Sequence, residues 1–180
     1  MPRLPYRGFT WLEILMVLAI VAILAAIALP PLSEAIARHR LRAATAALMD
    51  TLQRAREAAE YREGGTTACP STNGRTCTGS TDWGVGWISL DTGTRDVLTV
   101  DDGLDTRLTA ISVGVRTQVG FSHPGDKVHP QPFNQTLALC LRGKPATTVT
   151  IVVAKNGRSH VEPPSAEVAR ACGARHSRNR

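Results

Sequence analysis

Residues 8–30 read GFTWLEILMVLAIVAILAAIALP, and a single charged side chain, Glu13, interrupts an otherwise apolar run. From Phe9 to Leu29 this run is long enough, at about 1.5 Å per helical residue, to cross a hydrocarbon core of about 30 Å. A carboxylate at membrane depth is disfavoured by roughly 2.5 to 3.5 kcal/mol, so its retention points to a function and to a partner. Two plainer readings account for the run less well. A secretory signal peptide has a shorter apolar core ending at a small-residue cleavage site, and the only such site here, Ala35-Ile36-Ala37, lies beyond Pro30, Pro31 and Glu34. A simple single-pass anchor needs no acid near Phe9.

The stretch Gly8-Phe9-Thr10-Trp11-Leu12-Glu13, followed by an unbroken apolar segment and Pro30, resembles the class III signal of type IV pilins and type II secretion pseudopilins. Only Trp11 departs from the aliphatic residue usual in that family, and it remains apolar. The resemblance implies that a prepilin peptidase removes residues 1–8 by cutting after Gly8, that Phe9 becomes the N-methylated first residue, and that Glu13 serves assembly. Physical chemistry agrees with that role. A free α-amine on Phe9 is cationic near neutral pH, and Glu13 lies one turn away at i+4. In a filament, the amine of an incoming subunit meets a neighbour's carboxylate in low dielectric, which makes the pair selective for register.

Removal of the leader leaves 172 residues, and the part beyond Leu29 is about 150 residues long, enough for one domain with its own core. Aromatic residues make up only 4%, so that core leans on aliphatic side chains. The resulting division is a leader over 1–8, a transmembrane helix over 9–29, an amphipathic helical extension over 30–63, a β-rich periplasmic domain over 64–169 and a basic tail over 170–180. Pro30 and Pro31 predict a kink or local melting. Beyond them Leu41, Ala44, Leu48, Leu52, Ala55 and Ala59 recur at spacings of three and four, an apolar stripe on a helix whose other face carries Arg38, Arg40, Arg42, Arg54, Arg56, Glu57 and Glu60. That charged face reads as solvated, and Gly64-Gly65 ends the helix.

Strand and turn signals follow. Strands are expected at Val85–Leu90, Val97–Val100, Leu108–Val115, Gln118–Ser122, Thr136–Leu141, Thr147–Ala154 and Arg158–Val161. Turns are expected at Asp91-Thr92-Gly93, Asp101-Asp102-Gly103, Pro124-Gly125-Asp126 and Asn156-Gly157. The fold class is therefore α+β, a pilin-like arrangement of a long N-terminal helix, transmembrane in its first half, packed on antiparallel sheet. The order of features, with Leu52, Ala55, Arg56 and Glu57 on the helix, then Gly86-Trp87-Ile88, Leu139-Cys140-Leu141 and Asn156-Gly157-Arg158, is similar to the H pseudopilin of type II secretion and the FimT-type minor pilins.

Four cysteines, Cys69, Cys77, Cys140 and Cys172, suit a domain exported to an oxidising compartment. Cys69 and Cys77 bracket a short turn-rich loop, and Cys140 with Cys172 is the natural second bridge. No CxxC pair occurs and the five histidines are scattered, so no metal or other cofactor is expected. No nucleophile elbow, phosphate-binding loop or paired carboxylate arrangement occurs either, and no catalytic residue or enzyme activity is assigned.

The chain has 21 basic and 15 acidic residues, a net charge of +6. Loss of Arg3 and Arg7 with the leader reduces this to +4, and residues 170–180 contain Arg170, Arg175, Arg178 and Arg180 without an acid. The excess is thus local. An arginine cluster of this kind holds double-stranded DNA through phosphate contacts and counterion release, without reading bases. The FimT-type DNA-binding pilins carry Gly-Arg-x-Arg near the C-terminus, whereas this chain has Gly157-Arg158-Ser159-His160. A composite patch of Arg158 with Arg175 and Arg178 requires the tail to fold back.

The expected partners are the prepilin peptidase, other pilins or pseudopilins in a filament, the inner membrane and, through the basic residues, DNA. The alternative is a pseudopilus subunit acting only in type II protein secretion, with no DNA binding. The expected location is the bacterial inner membrane, single-pass with the C-terminal domain in the periplasm, and then the pilus or pseudopilus.

Overall fold

The computed structural model describes residues 10–62, 64–122 and 134–177, with backbone alone for 27–31, 145, 173 and 175–177. Two compact units divide the chain, residues Met1–Arg38 and His39–Arg180. One helix, α1 (Trp11–Ala59), contributes to both.

Within the first unit, Thr10 caps α1. Its hydroxyl accepts from the Glu13 N–H at 3.3 Å, and its carbonyl accepts from the N–H groups of Glu13 and Ile14. Thr10 and Glu13 thus stand at the Ncap and N3 positions, the spacing of a capping box, and Glu13 also places negative charge at the positive end of the helix dipole. Every described side chain from Trp11 to Ala26 is exposed. Helical geometry continues without a break through Pro30 and Pro31, contrary to the expected melting, because the fixed proline φ of about −65° is itself helical and only two backbone donors are lost. Among the described residues no helix is long and apolar enough to cross a membrane; the side-chain description of the apolar run stops at Ala26.

In the second unit the helical stripe is buried as its spacing requires: Leu48, Leu52 and Ala55 are fully inaccessible, with Leu41, Ala44 and Ala59 nearly so. Each buried leucine contributes about 1.5 to 3 kcal/mol relative to exposure. Among the described residues eight strands form two antiparallel four-stranded sheets. The first, ordered β3-β2-β1-β5, contains β1 (Thr66–Pro70), β2 (Gly86–Asp91), β3 (Val97–Asp102) and β5 (Val119–Phe121). The second, ordered β4-β6-β7-β8, contains β4 (Leu108–Val113), β6 (Gln135–Leu141), β7 (Lys144–Val153) and β8 (Ser159–Glu162). The closing α2 (Ala166–Ser177) packs on β4, β6 and β7.

The period of two assigns each strand residue to a face. In the first sheet Trp87 and Asp101 are register partners and face α1. Trp87 Nε1 donates to Thr51 Oγ1 at 3.1 Å, Thr51 Oγ1 donates to Asp101 Oδ2 at 2.8 Å, and Thr66 Oγ1 donates to the Ala55 carbonyl at 2.5 Å. These bonds satisfy buried polar groups and fix α1 on the sheet. Arg40 adds an ion pair with Asp105. On the opposite face Cys69, Ile88 and Leu90 form a cluster that Cys77 covers. In the second sheet Ile111, Ala138 and Cys140 point to α2 and meet Val168 and Cys172.

Several boundaries differ from the sequence expectations. Asp101 and Asp102 lie within β3 rather than in a turn, because Asp101 is held by Thr51. The strand β1 was not anticipated: it is short, ends in proline and has no alternating pattern, since all five residues are buried. The expected boundary at residue 170 falls inside α2, so the stretch assigned to a free tail is helical up to Ser177, with Val168 and Cys172 in the core. Ser165 caps this helix through Val168 N–H at 3.3 Å. The turn expected at Pro124-Gly125-Asp126 lies outside the described residues.

Candidate functional site

Three features of the described residues bear on function: the start of α1, the disulfides, and a charged cleft beside the β7–β8 turn. Gly8 and Phe9 lie outside the described residues. Glu13 lies within them, exposed in the first turn of α1, and its carboxylate has no partner among the described residues. Around it Trp11, Leu12 and Met16 are exposed by 77%, 72% and 66%. Among the described residues nothing covers this apolar surface or pairs with its one acid.

Both disulfides are closed. Cys69–Cys77 spans eight residues and Cys140–Cys172 spans 32. The first holds the 71–76 loop over the outer face of the first sheet. Asn73 Oδ1 accepts from the Arg75 and Thr76 N–H groups at 2.9 Å, which shapes the loop tip. The second fixes α2 to β6. Every described cysteine is used, leaving none free.

At the other end of α1, Arg62 reaches Asp91 at 2.8 Å, and Asp91 Oδ1 also accepts from Gly93 N–H and Thr94 N–H at 2.8 and 2.9 Å. The Thr94 amide above all, with the Arg62 guanidinium, holds the Asp91 carboxyl below the usual carboxylate range. This clamp ties the residues after α1 to the β2–β3 turn. Gly65 then leads into β1 at φ +66°, where a side-chain carbon would stand 2.3 Å from the Phe121 carbonyl oxygen, so only glycine fits.

The cleft, of about 310 Å³, lies between the last turns of α1 and the β7–β8 turn. Gln53, Arg56, Glu57 and Glu60 line one side, and Gly157 and Arg158 the other. The turn is rigidly bonded: Gly157 N–H donates to Ala154 O at 2.8 Å, Ala154 N–H to Arg158 O at 2.9 Å, and Arg158 N–H to Asn156 Oδ1 at 3.1 Å. Gly157 has φ +75°, and a side-chain carbon there would approach Arg56 Cδ at 3.3 Å. The glycine therefore admits Arg56 alongside the turn. Sequence reasoning took Arg56 for part of a solvated helix face; nothing in helical spacing reveals that a distant Asn-Gly turn meets it.

Of the basic residues singled out in the sequence, Arg158 is exposed at the cleft and Arg170 is exposed on α2, its Nε donating to the Ala166 carbonyl at 3.1 Å. The Arg175 backbone belongs to α2, while Arg178 and Arg180 lie outside the described residues. Arg158 is thus brought beside Arg56 of α1, a residue not anticipated for this role. No group of three or more histidine, cysteine, aspartate or glutamate side chains suited to a metal occurs among the described residues.

Comparison with known proteins gives the same picture from sequence and from shape. The family model for type II transport protein GspH matches residues 44–157, and that for the prokaryotic N-terminal methylation motif matches residues 3–29. No curated protein matches the chain. The type IV minor pilin FimU of Pseudomonas aeruginosa (strain PAO1) is similar in two crystal forms. In space group P21 it is 25% identical with a TM-score of 0.55, over 70% of this chain and 90% of that one. In space group P65 the values are 26% and 0.53, over 68% and 92%. Subunits of this kind are structural rather than catalytic, and the methylation motif marks a membrane-anchored pilus or pseudopilus component. The chain belongs to the GspH family of the pilin and pseudopilin superfamily, and is a minor pilin or pseudopilin, a filament subunit.

Proposed function

We propose that prepilin peptidase cuts this chain after Gly8, that Phe9 is then N-methylated, and that the mature, non-catalytic subunit enters a type IV pilus or type II pseudopilus from the inner membrane. In the membrane the apolar segment spans the bilayer and the C-terminal domain faces the periplasm. On assembly the Glu13 carboxylate pairs with the Phe9 amine of a neighbouring subunit. The observation that carries this reading is Glu13 itself, an exposed acid without a partner among the described residues, in the first turn of an apolar helix. The methylation-motif match over residues 3–29 supports the processing step. The GspH model supports a type II machine, and the likeness to a type IV minor pilin supports a pilus.

The test is incorporation of the full chain carrying Glu13→Ala into filaments sheared from cells. The expected result is a processed, folded subunit that stays in the inner membrane; normal incorporation would contradict the role of Glu13.

A second reading adds double-stranded DNA as a ligand of Arg158 with Arg170, Arg175, Arg178 and Arg180. Its support is that Arg158 and Arg170 are exposed and that neither guanidinium has an acidic partner among the described residues. Phosphate contacts of this kind are strongly salt-dependent. A mobility shift with the full chain in detergent should weaken steeply with salt and weaken further when Arg158, Arg175 and Arg178 are changed to alanine; unchanged binding in the variant would remove the reading.

A further inference from the structure

The cleft between α1 and the β7–β8 turn carries an unused pair of cations. Neither the Arg56 nor the Arg158 guanidinium has a hydrogen-bond or ion-pair partner among the described residues. Arg56 is half-buried against Gly157 and Arg158 stands exposed on the turn, so the two approach the cleft from different elements. The Ser159 hydroxyl, which also lines the cleft, is buried with no partner among the described residues. Three donor groups with unfilled bonding capacity therefore border one space. Buried or half-buried donors are normally satisfied, and a guanidinium presents a planar fork matched to a carboxylate.

Glu57 and Glu60 border the same space. Glu57 already accepts from Gln53 Nε2 at 2.9 Å, whereas Glu60 has no side-chain partner among the described residues. The lining is consequently balanced, two cations against two anions. A nucleic-acid strand, with a negative charge at every nucleotide, meets repulsion from the two glutamates as it follows the arginines. A polypeptide that alternates sign meets none. Charge complementarity of this sort contributes more to partner choice and register than to affinity.

We propose that this cleft receives a mixed-charge segment of a neighbouring filament subunit, whose carboxylate enters between Arg56 and Arg158 and whose adjacent basic side chain meets Glu60. The proposal rests on the filament reading given above. The bonded β7–β8 turn fixes the Arg158 backbone before contact, so ordering entropy is lost on docking by its side chain and not by the turn. The occupant is a pilin-type subunit, and its identifying feature is an acid next to a base on an exposed segment.

The test places a photo-crosslinking amino acid at Gln53 of the full chain, expressed in cells that assemble the filament, and identifies the adduct by mass spectrometry. The expected adduct is a peptide of a second pilin-type subunit containing an acidic and a basic residue. Its yield should fall at least fivefold in Arg158→Glu, an exposed substitution whose thermal unfolding should match that of the parent. A Glu60→Lys variant supplies an independent arm and should lower the yield severalfold. The proposal is overturned by an adduct with nucleic acid or with a protein that is not a pilin, by a yield indifferent to Arg158→Glu, or by no adduct although the chain enters filaments. Failure of the filament reading is separately visible, because filaments sheared from the same cells report whether the chain is incorporated at all.

Discussion

The two halves of α1 are continuous in helix geometry and opposite in burial. From Trp11 to Ala26 all described side chains are exposed, and Trp11, at 77%, is among the most exposed apolar residues of the chain. From Leu41 to Ala59 the apolar stripe is buried, with Leu48 and Leu52 at 0%. The difference comes from patterning rather than from total hydrophobicity. The described upstream half, Glu13 apart, is apolar all round, so a single protein face cannot cover it. The downstream half is apolar on one side only, and its own chain buries that side, with the first sheet bonded to it through Thr51 and Ala55. One helix thus changes along its length from an all-round to a one-sided apolar surface.

That contrast predicts which half each perturbation damages. The largest effect is expected from Glu13→Ala, which should reduce filament incorporation at least tenfold while leaving the thermal unfolding of the domain unchanged; a loss of folding in this variant would break the division between the halves. In the downstream half, Leu52→Ala removes a fully buried side chain and should cost about 2 to 5 kcal/mol in denaturant unfolding, with the upstream half of α1 unaffected.

The disulfides come next. On chain-entropy grounds, the 32-residue closure by Cys140–Cys172 is expected to contribute about 3.7 kcal/mol and the eight-residue closure by Cys69–Cys77 about 2.5 kcal/mol. Paired Cys→Ser variants measure both, and a reversed order would show that loop length does not govern the difference. The smallest effect is expected at Asp91. The Thr94 amide and the Arg62 guanidinium hold its carboxyl below the usual carboxylate range in the folded state, so its contribution is fully present above the unfolded pKa and is lost as pH falls through the folded one. Asp91→Asn should cost about 1 to 2 kcal/mol near neutral pH, the low end for charged hydrogen bonds because Arg62 is 38% exposed and screened. It should also flatten the acid limb of the stability curve below pH 3.8; an unchanged limb would mean that another carboxylate controls it.

The ease of reading these parts from sequence follows the range over which each is determined. The helical stripe from Leu41 to Ala59 is visible because its period is local, and all six of its residues are buried. Strands β2 through β8 lie within a few residues of expectation because β-branched runs alternate with turn residues. The strand β1 escaped notice since Thr66–Pro70 is central in its sheet and buried throughout, which removes the alternation that marks a half-exposed strand. The helix α2 was hidden by its charge. Arg170 and Arg175 suggest a solvated end, although Ser165 at the cap and Val168 with Cys172 at i and i+4 carry a helical signal. The cleft was least legible, because Arg56 and Gly157 lie about a hundred residues apart and only the packing of the β7–β8 turn against α1 joins them.

The claim on which the account depends is that residues 8–13 direct processing and assembly. Mass spectrometry of the mature chain isolated from cells tests it most directly. The account predicts an N-terminal peptide that begins with methylated Phe9 and lacks residues 1–8. An intact Met1, or a terminus near Ala37, would contradict it.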